Sequence, residues 1–470
     1  MTLACVLLTA CRASPLTVGV PTPGLSSPAE FSPSPNASAS AAAAASPSLA
    51  PPTLESEPPS PTLAAPTPEA LPTAEVSAAP TASGRPRDGN FAWQRVDLEP
   101  ERDGLIVSSA LATTSGFIAL GTHSHVTGGP WAMPPEATAR VSFEGMIWTS
   151  PDGLGWTWQE VPEFDGALMK HLVESDGSFY AFGALGSCIY LYECPPPPDN
   201  AGNNVWRSTD GTDWQLLPQP QPLRAEFLSD VNVVDGTLVA VGLAVSRGSL
   251  METEAGLWTS VDGTHWLPIL DTPADAGLHA AVSDGSIIVA FQPPRSGEAP
   301  YLWAEDARGP WQSGPMPGAE IAYLRDAIAA HGLFVGVGGT ANRDDGLQHP
   351  YAWVSSDGLE WRGEPLEAFL GSGFDYVTAV PAGFVALEGP YSESIDEGSE
   401  AWFSANGLDW QLLRVPADDR PFSVSAVAAG PLGVVAFGAS AVVTGQDLWG
   451  EPRREARLRV WFAPASSFEP

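Results

Sequence analysis

The sequence predicts an all-β fold, a seven-bladed β-propeller of four-stranded blades preceded by a long unstructured tether. Three observations carry this. A ten-residue pattern containing two Trp recurs along the chain, and a short Gly-bounded apolar run precedes each copy. The composition agrees: 470 residues hold 48 Pro, 47 Gly and 17 Trp but a single Lys, which favours short strands and turns over helices.

The chain opens on an apolar run, Leu3-Ala-Cys-Val-Leu-Leu-Thr-Ala10, followed by Cys11. Leu8-Thr-Ala-Cys11 resembles the bacterial lipobox, which implies diacylation of Cys11 and its use as the mature N-terminus. The basic residues that ordinarily precede such a run are missing, so residues 1–10 are read as a truncated lipoprotein signal peptide. No later apolar run approaches the ~20 residues of a membrane span.

Residues 11–90 hold the acylated Cys and a Pro/Ser/Ala/Thr-rich linker. Such a composition buries too little apolar surface to offset its ordering entropy. As a coil it would reach roughly 50 Å, and fully extended roughly 240 Å. A tether of that length lifts a domain away from a membrane.

Residues 91–470 repeat one unit. Ile147-Trp-Thr-Ser-Pro-Asp-Gly-Leu-Gly-Trp156 aligns with Val205-Trp-Arg-Ser-Thr-Asp-Gly-Thr-Asp-Trp214 and Leu257-Trp-Thr-Ser-Val-Asp-Gly-Thr-His-Trp266. Ala352–Trp361 and Ala401–Trp410 continue the series, Leu302–Trp311 is a worn copy, and Val460-Trp-Phe-Ala463 is a half copy. Upstream lie runs such as Gly116-Phe-Ile-Ala-Leu-Gly121, Gly236-Thr-Leu-Val-Ala-Val-Gly242 and Gly433-Val-Val-Ala-Phe-Gly438. These read as strands buried on both faces. A mixed strand precedes each. Every unit therefore holds four strands: A (mixed), B (apolar), C (carrying the first Trp) and D (beginning at the second).

The C–D hairpin can be read residue by residue. Two Trp eight apart, with Asp152, Asp210, Asp262, Asp357 or Asn406 midway in five copies, imply a directly opposed Trp pair across the hairpin. The midpoint side chain should accept backbone N–H groups of the turn, and the following Gly should take positive φ. All of this is structural. Ser-x-Asp-Gly-x-x-Trp between the third and fourth strands resembles the Asp-box (BNR) repeat of sialidase-like propellers, although here Asp and Gly are adjacent where that family usually has one residue between them. The resemblance implies a propeller over nearly the whole chain after residue 90.

The last unit stops after strand C. Phe91-Ala-Trp93-Gln-Arg-Val matches the D strands, so the N-terminal strand should complete the last blade, with Trp93 opposite Trp461. Such closure removes the exposed ends of an open repeat array.

Alternating strands put the A–B and C–D turns on one face and the B–C and D–A connections on the other. The second face carries long insertions at 123–145, 184–204, 243–256 and 440–456, expected as loops. Variable connections on a rigid scaffold are where recognition concentrates. Cys188 and Cys194, in the second insertion, point to a loop-stiffening disulfide, and metal binding is the alternative.

The charge limits the partners. Acids outnumber bases 55 to 21, a net −34, which opposes nucleic acid and anionic lipid. Residues 12–90 hold 6 acids and 3 bases, so about −31 belongs to the repeats. Membrane attachment would run through Cys11 alone.

The inner strands should bring His171, Asp230, His279, Arg325 and Asp375 to the central channel, as a solvated wall or as a ligand site. The sialidase resemblance implies three channel Arg, a Tyr–Glu nucleophile pair and an acid Asp. Arg325, Tyr323, Tyr376 and Asp326 are the candidates for those roles, and the Arg-Ile-Pro motif it also implies is absent. No metal site is assigned. His123-Ser-His125 with Trp131 is the one motif suited to a metal or a sugar. No cofactor is expected, and a structural cation such as calcium is compatible with the fold.

The sequence thus predicts a monomeric, extracytoplasmic, lipid-anchored propeller. Its function is non-catalytic binding of an envelope protein or carbohydrate through the B–C and D–A face. The alternative is a sialidase-like glycoside hydrolase acting on extracellular glycans. Seven blades and this repeat style also resemble the photosystem assembly propellers, with nothing in the residues to indicate such a partner.

Overall fold

The computed structural model describes residues 93–468, except 101–103, 128–139, 186–201, 219–222, 224–226, 246–252, 270–276, 293–299, 306–309, 319–321, 341–348, 367–372, 389–399, 414–422 and 447–451. Cys11, the linker, Trp131 and the Cys188/Cys194 pair lie outside the described residues.

β1 (Gln94–Asp97) is set aside for the last blade. Blade one is β2 (Leu105–Thr113), β3 (Gly116–Thr127), β4 (Arg140–Ser150) and β5 (Thr157–Glu160). Blade two is β6 (Ala167–Ser175), β7 (Ser178–Leu185), β8 (Gly202–Ser208) and β9 (Gln215–Leu216). Blade three is β10 (Phe227–Val234), β11 (Thr237–Val245), β12 (Thr253–Ser260) and β13 (Leu267–Pro268). Blade four is β14 (Ala280–Ser283), β15 (Ile288–Phe291), β16 (Pro300–Ala304) and β17 (Gln312–Pro315). Blade five is β18 (Ala322–Ala330), β19 (Leu333–Thr340), β20 (Pro350–Ser355) and β21 (Arg362–Pro365). Blade six is β22 (Phe374–Val380), β23 (Gly383–Glu388), β24 (Ala401–Ser404) and β25 (Trp410–Leu413). Blade seven is β26 (Ser423–Gly430), β27 (Gly433–Gln446), β28 (Pro452–Pro464) and then β1 as its outermost strand.

The fold is therefore an all-β, seven-bladed propeller. Its inner strands neighbour one another in a closed circuit: β2, β6, β10, β14, β18, β22, β26 and back to β2. One apolar cluster fills each of the seven gaps between adjacent blades. The cluster of Val435, Phe437 and Val460 with Phe117, Ala119 and Trp148 joins the last blade to the first. At the seam β1 pairs antiparallel with β28, and Arg459 reaches its cross-strand partner Asp97 at 2.9 Å. The N-terminal strand closes the ring as the sequence predicts.

The Gly that ends the apolar run in five blades (Gly121, Gly183, Gly242, Gly338 and Gly438) has a steric role. It lies opposite a bulge in the inner strand, where the backbones approach closely. A Cβ at Gly338 would sit 1.9 Å from the Tyr323 carbonyl oxygen, and one at Gly438 equally close to that of Ser423. Only Gly fits.

Two expectations need correction. The paired Trp are not directly opposed: Trp148 faces Trp158, Trp206 faces Leu216, and Arg95, not Trp93, faces Trp461. The second Trp belongs to the turn, where its indole N–H donates to a carbonyl three residues back, as from Trp156 to Gly153 at 3.0 Å. In blades one, two and five the first Trp is buried and its N–H donates to the connection entering its own blade, as from Trp206 to the Glu163 carbonyl at 2.8 Å and from Trp353 to that of Pro317 at 2.7 Å. Each pair thus packs a blade twice, once inward and once at the turn.

The insertions, too, are not loops from end to end. Strands B and C continue pairing past the blade, to Thr127↔Arg140, Val245↔Thr253 and Gln446↔Pro452. The insertion at 184–204 adds only the Ala184↔Asn203 and Leu185↔Gly202 pairs.

Candidate functional site

The two faces differ in construction. On one, the A–B turns are two residues long except at 284–287 in blade four, and the C–D turns repeat one hydrogen-bond pattern. In blade two, the Ser208 hydroxyl donates to Asp210 Oδ1 at 3.0 Å and accepts from Gly211 N at 2.9 Å. Asp210 Oδ1 accepts from Thr212 N and Asp213 N at 2.8 and 2.9 Å. Those two N–H groups hold the Asp210 carboxyl down at about 2. Asp152, Asp262 and Asp357 do the same, and Asn406 keeps the pattern with its amide oxygen. Every lone pair that matters is spent on the turn.

The inner strands carry the second repeated device. In six blades the A strand bulges one residue past a buried apolar side chain, at Ser108, Lys170, Ser229, Arg325, Asp375 and Ser425. His279 holds the corresponding place just before β14. Here the backbone repeats and the side chains do not.

Most of the predicted channel residues tie blades together. Ser109 Oγ accepts from Leu172 N at 3.1 Å, between blades one and two. His171 Nε2 lies 3.4 Å from the Leu228 carbonyl oxygen, between two and three. Asp230 Oδ2 accepts from Ala281 N at 3.1 Å, between three and four. His279 Nε2 meets the Arg325 carbonyl at 2.9 Å, between four and five. Asp326 Oδ2 accepts from Val377 N at 2.8 Å, between five and six.

Burial governs the titration of this ring. It pushes Asp326 up to about 7, with the Val377 N–H pulling the other way and Asp230 and Asp375 adding to the rise. Burial drops His171 to about 4, helped by the Lys170 charge. It raises Asp230 and Asp375, the latter partly offset by Arg325, and lowers Lys170 and His279. Burial, then Asp375 and Asp326, raises Tyr376 well above the usual phenol range.

Arg325 is the one Arg on the described inner strands. Its guanidinium stands 4.8 Å from the centre of the Tyr323 ring, and its Nε lies 3.5 Å from Asp375 Oδ1. The structure thus brings Tyr323, Arg325 and Asp375 together, while His171, Asp230, His279 and Asp326 are occupied between blades.

A second cluster sits where strands B and C of blade one run on past the blade. His123 and Glu144 are direct cross-strand partners, and His125, two residues on, shares their face. His123 Nδ1 is 3.1 Å and His125 Nε2 2.9 Å from Glu144 Oε2. The His125 ring beside it, and then His123, hold the Glu144 carboxyl below its ordinary range against a burial penalty. Residue-by-residue reading found the two His but missed Glu144. The signal was present: once Ala119 is set opposite Trp148, the same register sets His123 opposite Glu144.

No family model matches the chain, and no curated protein matches it. Three solved structures of similar fold are distant in sequence. An α-L-arabinofuranosidase from Fusarium graminearum is 14% identical, with TM-score 0.39, over 63% of this chain and 92% of that one. Virginiamycin B lyase from Staphylococcus aureus is 10% identical, with TM-score 0.45, over 79% of this chain and 99% of its own. The phage phi92 endosialidase is 10% identical, with TM-score 0.39, over 80% of this chain and 69% of that one. The fold assignment rests on the strand topology and ring closure described above.

Proposed function

We propose that this chain is a non-catalytic binding or scaffolding propeller, lipid-anchored through Cys11 outside the cytoplasm and engaging an envelope protein or carbohydrate. The observation that carries the reading is the employment of the channel's titratable groups. Asp326, the candidate acid, and Asp230, a candidate ligand-binding group, both accept backbone N–H groups of the next blade. A Tyr nucleophile needs its hydroxyl activated, and the surroundings of Tyr376 push it the other way. A strongly acidic repeat domain also favours neutral or cationic partners over anionic glycans.

Recognition is assigned to the face of the B–C and D–A connections. There the connections differ from blade to blade, and strands B and C of blades one, three and seven extend beyond the sheet by different lengths. Arg325, stacked on Tyr323 and paired with Asp375, is the one Arg on the described inner strands, and it makes the glycosidase alternative testable. The full chain is expected to leave a panel of fluorogenic sialosides and arabinosides intact. Hydrolysis that Arg325→Ala abolishes would overturn the non-catalytic reading. A screen against glycans and envelope proteins should yield binding that is lost when the B–C connections are shortened; binding that survives would move the site elsewhere.

A further inference from the structure

We infer that His123, His125 and Glu144 form a site for a divalent first-row transition metal, with zinc as the ion their chemistry fits best, on the ladder above blade one. The site stands on its own residues and does not depend on the binding-module reading.

The geometry comes directly from the register. Alternate residues of a strand share a face, and directly paired residues of neighbouring strands stand side by side on it. His123 and His125 on β3, with Glu144 opposite His123 on β4, therefore converge without any loop having to fold over them. The three donor atoms lie within 4.8 Å of one another. Two of the separations, 3.1 and 2.9 Å to Glu144 Oε2, are near the ~3.3 Å edge of a tetrahedron whose ligands stand ~2.0–2.1 Å from zinc. The imidazole rings lie 3.9 Å apart, centre to centre.

An ordinary His–Glu contact is the competing account, and one detail counts against it. His125 Nε2 is shielded from solvent and lies 2.9 Å from the carboxylate oxygen, yet the approach does not have hydrogen-bond geometry. What the arrangement does provide is two imidazole nitrogens and a carboxylate oxygen within reach of one ion. The support is also graded as in a built site: the His123 side chain is 7% exposed and fixes the floor, whereas His125 and Glu144, at 40% and 39%, leave an entry path.

The surroundings favour a cation. The connection from β5 to β6 passes beside β4, with Val161 N donating to the Gly145 carbonyl at 3.0 Å and Gly166 N to that of Phe143 at 2.9 Å. It brings Glu163 and Asp165 near Glu144; burial first, and then the charges of Glu144, Glu160 and Glu163, raise the Asp165 carboxyl above its ordinary range. The one Lys or Arg in the described part of this hairpin and that connection is Arg140, which pairs with Thr127 at the far end of the ladder. Two imidazoles and one carboxylate form a borderline donor set, which suits zinc better than magnesium or calcium. Three protein ligands leave a fourth position for water, or for a donor atom of whatever the propeller face binds.

The test is a titration of the chelator-stripped full chain with zinc against a chromophoric chelator. One equivalent should bind. His123→Ala and Glu144→Gln should each weaken binding at least tenfold, while His265→Ala, on the opposite face, should leave it unchanged. Cobalt in place of zinc should give visible bands of nitrogen and oxygen ligation with no thiolate charge-transfer band, which separates this site from Cys188 and Cys194. Thermal melts of the metal-free variants should match the parent, showing that any lost affinity is lost ligation. Absence of saturable binding, equal affinity in the His123→Ala and Glu144→Gln chains, or a thiolate band would overturn the assignment.

Discussion

The C–D turns and the inner-strand bulges are both repeated devices, and they repeat differently. At the turns, backbone and side chain recur together: Ser, Asp or Asn, Gly and Trp occupy the same places in five blades and make the same bonds. At the bulges only the backbone recurs, and the residue there is Ser, Lys, Arg or Asp according to the blade. A position whose side chain is consumed in holding the chain varies only among residues that make the same bonds, as Asn406 does for Asp. A position fixed by backbone geometry and an opposing Gly leaves its side chain at liberty. The first pattern marks scaffold, and the second marks where individual blades can acquire separate tasks.

The largest test of this contrast lies at the first Trp. Trp206→Ala should cost ~3–5 kcal/mol in denaturant unfolding, through a cavity between blades one and two and the lost bond to the Glu163 carbonyl. Trp158→Ala, 36% exposed on an outermost strand, should cost well under that. Equal losses would mean that outer strands carry as much of the structure as the Trp cores.

At the inner ring, Asp326→Ala strands the Val377 and Ala327 N–H groups, and should cost about 1–3 kcal/mol. Its pH signature is distinctive. A folded value of about 7 against an unfolded one near ~3.9 means that the folded state holds the proton more tightly. Its contribution is complete below about 4 and is lost as pH rises through about 7. Urea unfolding at pH 5 and pH 8 should show the parent more stable at pH 5, and Asp326→Asn should flatten that difference.

The smallest effects belong to the turns. Asp210→Ala should cost about 1 kcal/mol, whereas Asp210→Asn should be close to neutral, because blade six uses Asn406 in the same bonds. The pH dependence has the opposite sign to that of Asp326. With its folded value held at about 2, Asp210 stabilises the fold above the unfolded value and loses that contribution only as pH falls toward 2. Acid unfolding curves of the parent and Asp210→Asn should diverge only below about pH 4. A divergence at neutral pH would place the carboxylate in a role beyond the turn.

Much of this was legible because the sequence repeats. Seven copies of the first Trp, at 148, 206, 258, 303, 353, 402 and 461, give the blade count, and the orphan match of Trp93-Gln-Arg-Val to the D strands gives the seam. What failed was register. Trp148 and Trp156 are symmetric in sequence about Asp152, but the six-residue turn places the second Trp inside it, so the strand pairing begins two residues later. Periodicity locates strands and does not fix their partners. The same limit hid Glu144: it is an unremarkable acid in the sequence and becomes a neighbour of His123 only through pairing. His171, Asp230, Asp326 and Asp375 fall on inner strands and His279 just before one, but which of them reach across to the next blade depends on how the blades rotate about the axis. No linear spacing encodes that rotation.

The seam also means that the ring has no privileged first blade. The chain enters on an outermost strand, β1, and leaves on its partner β28, so Gln94 and Phe462 end up side by side. Any other C–D turn presents the same junction with the peptide intact. Joining residue 468 to residue 93 by a short linker and opening the chain at the turn around Gly211 or Gly263 would give a circular permutant of identical blade arithmetic. The present entry point is one of several equivalent doors into the circle, and what distinguishes it is that residues 1–92 precede it in the chain.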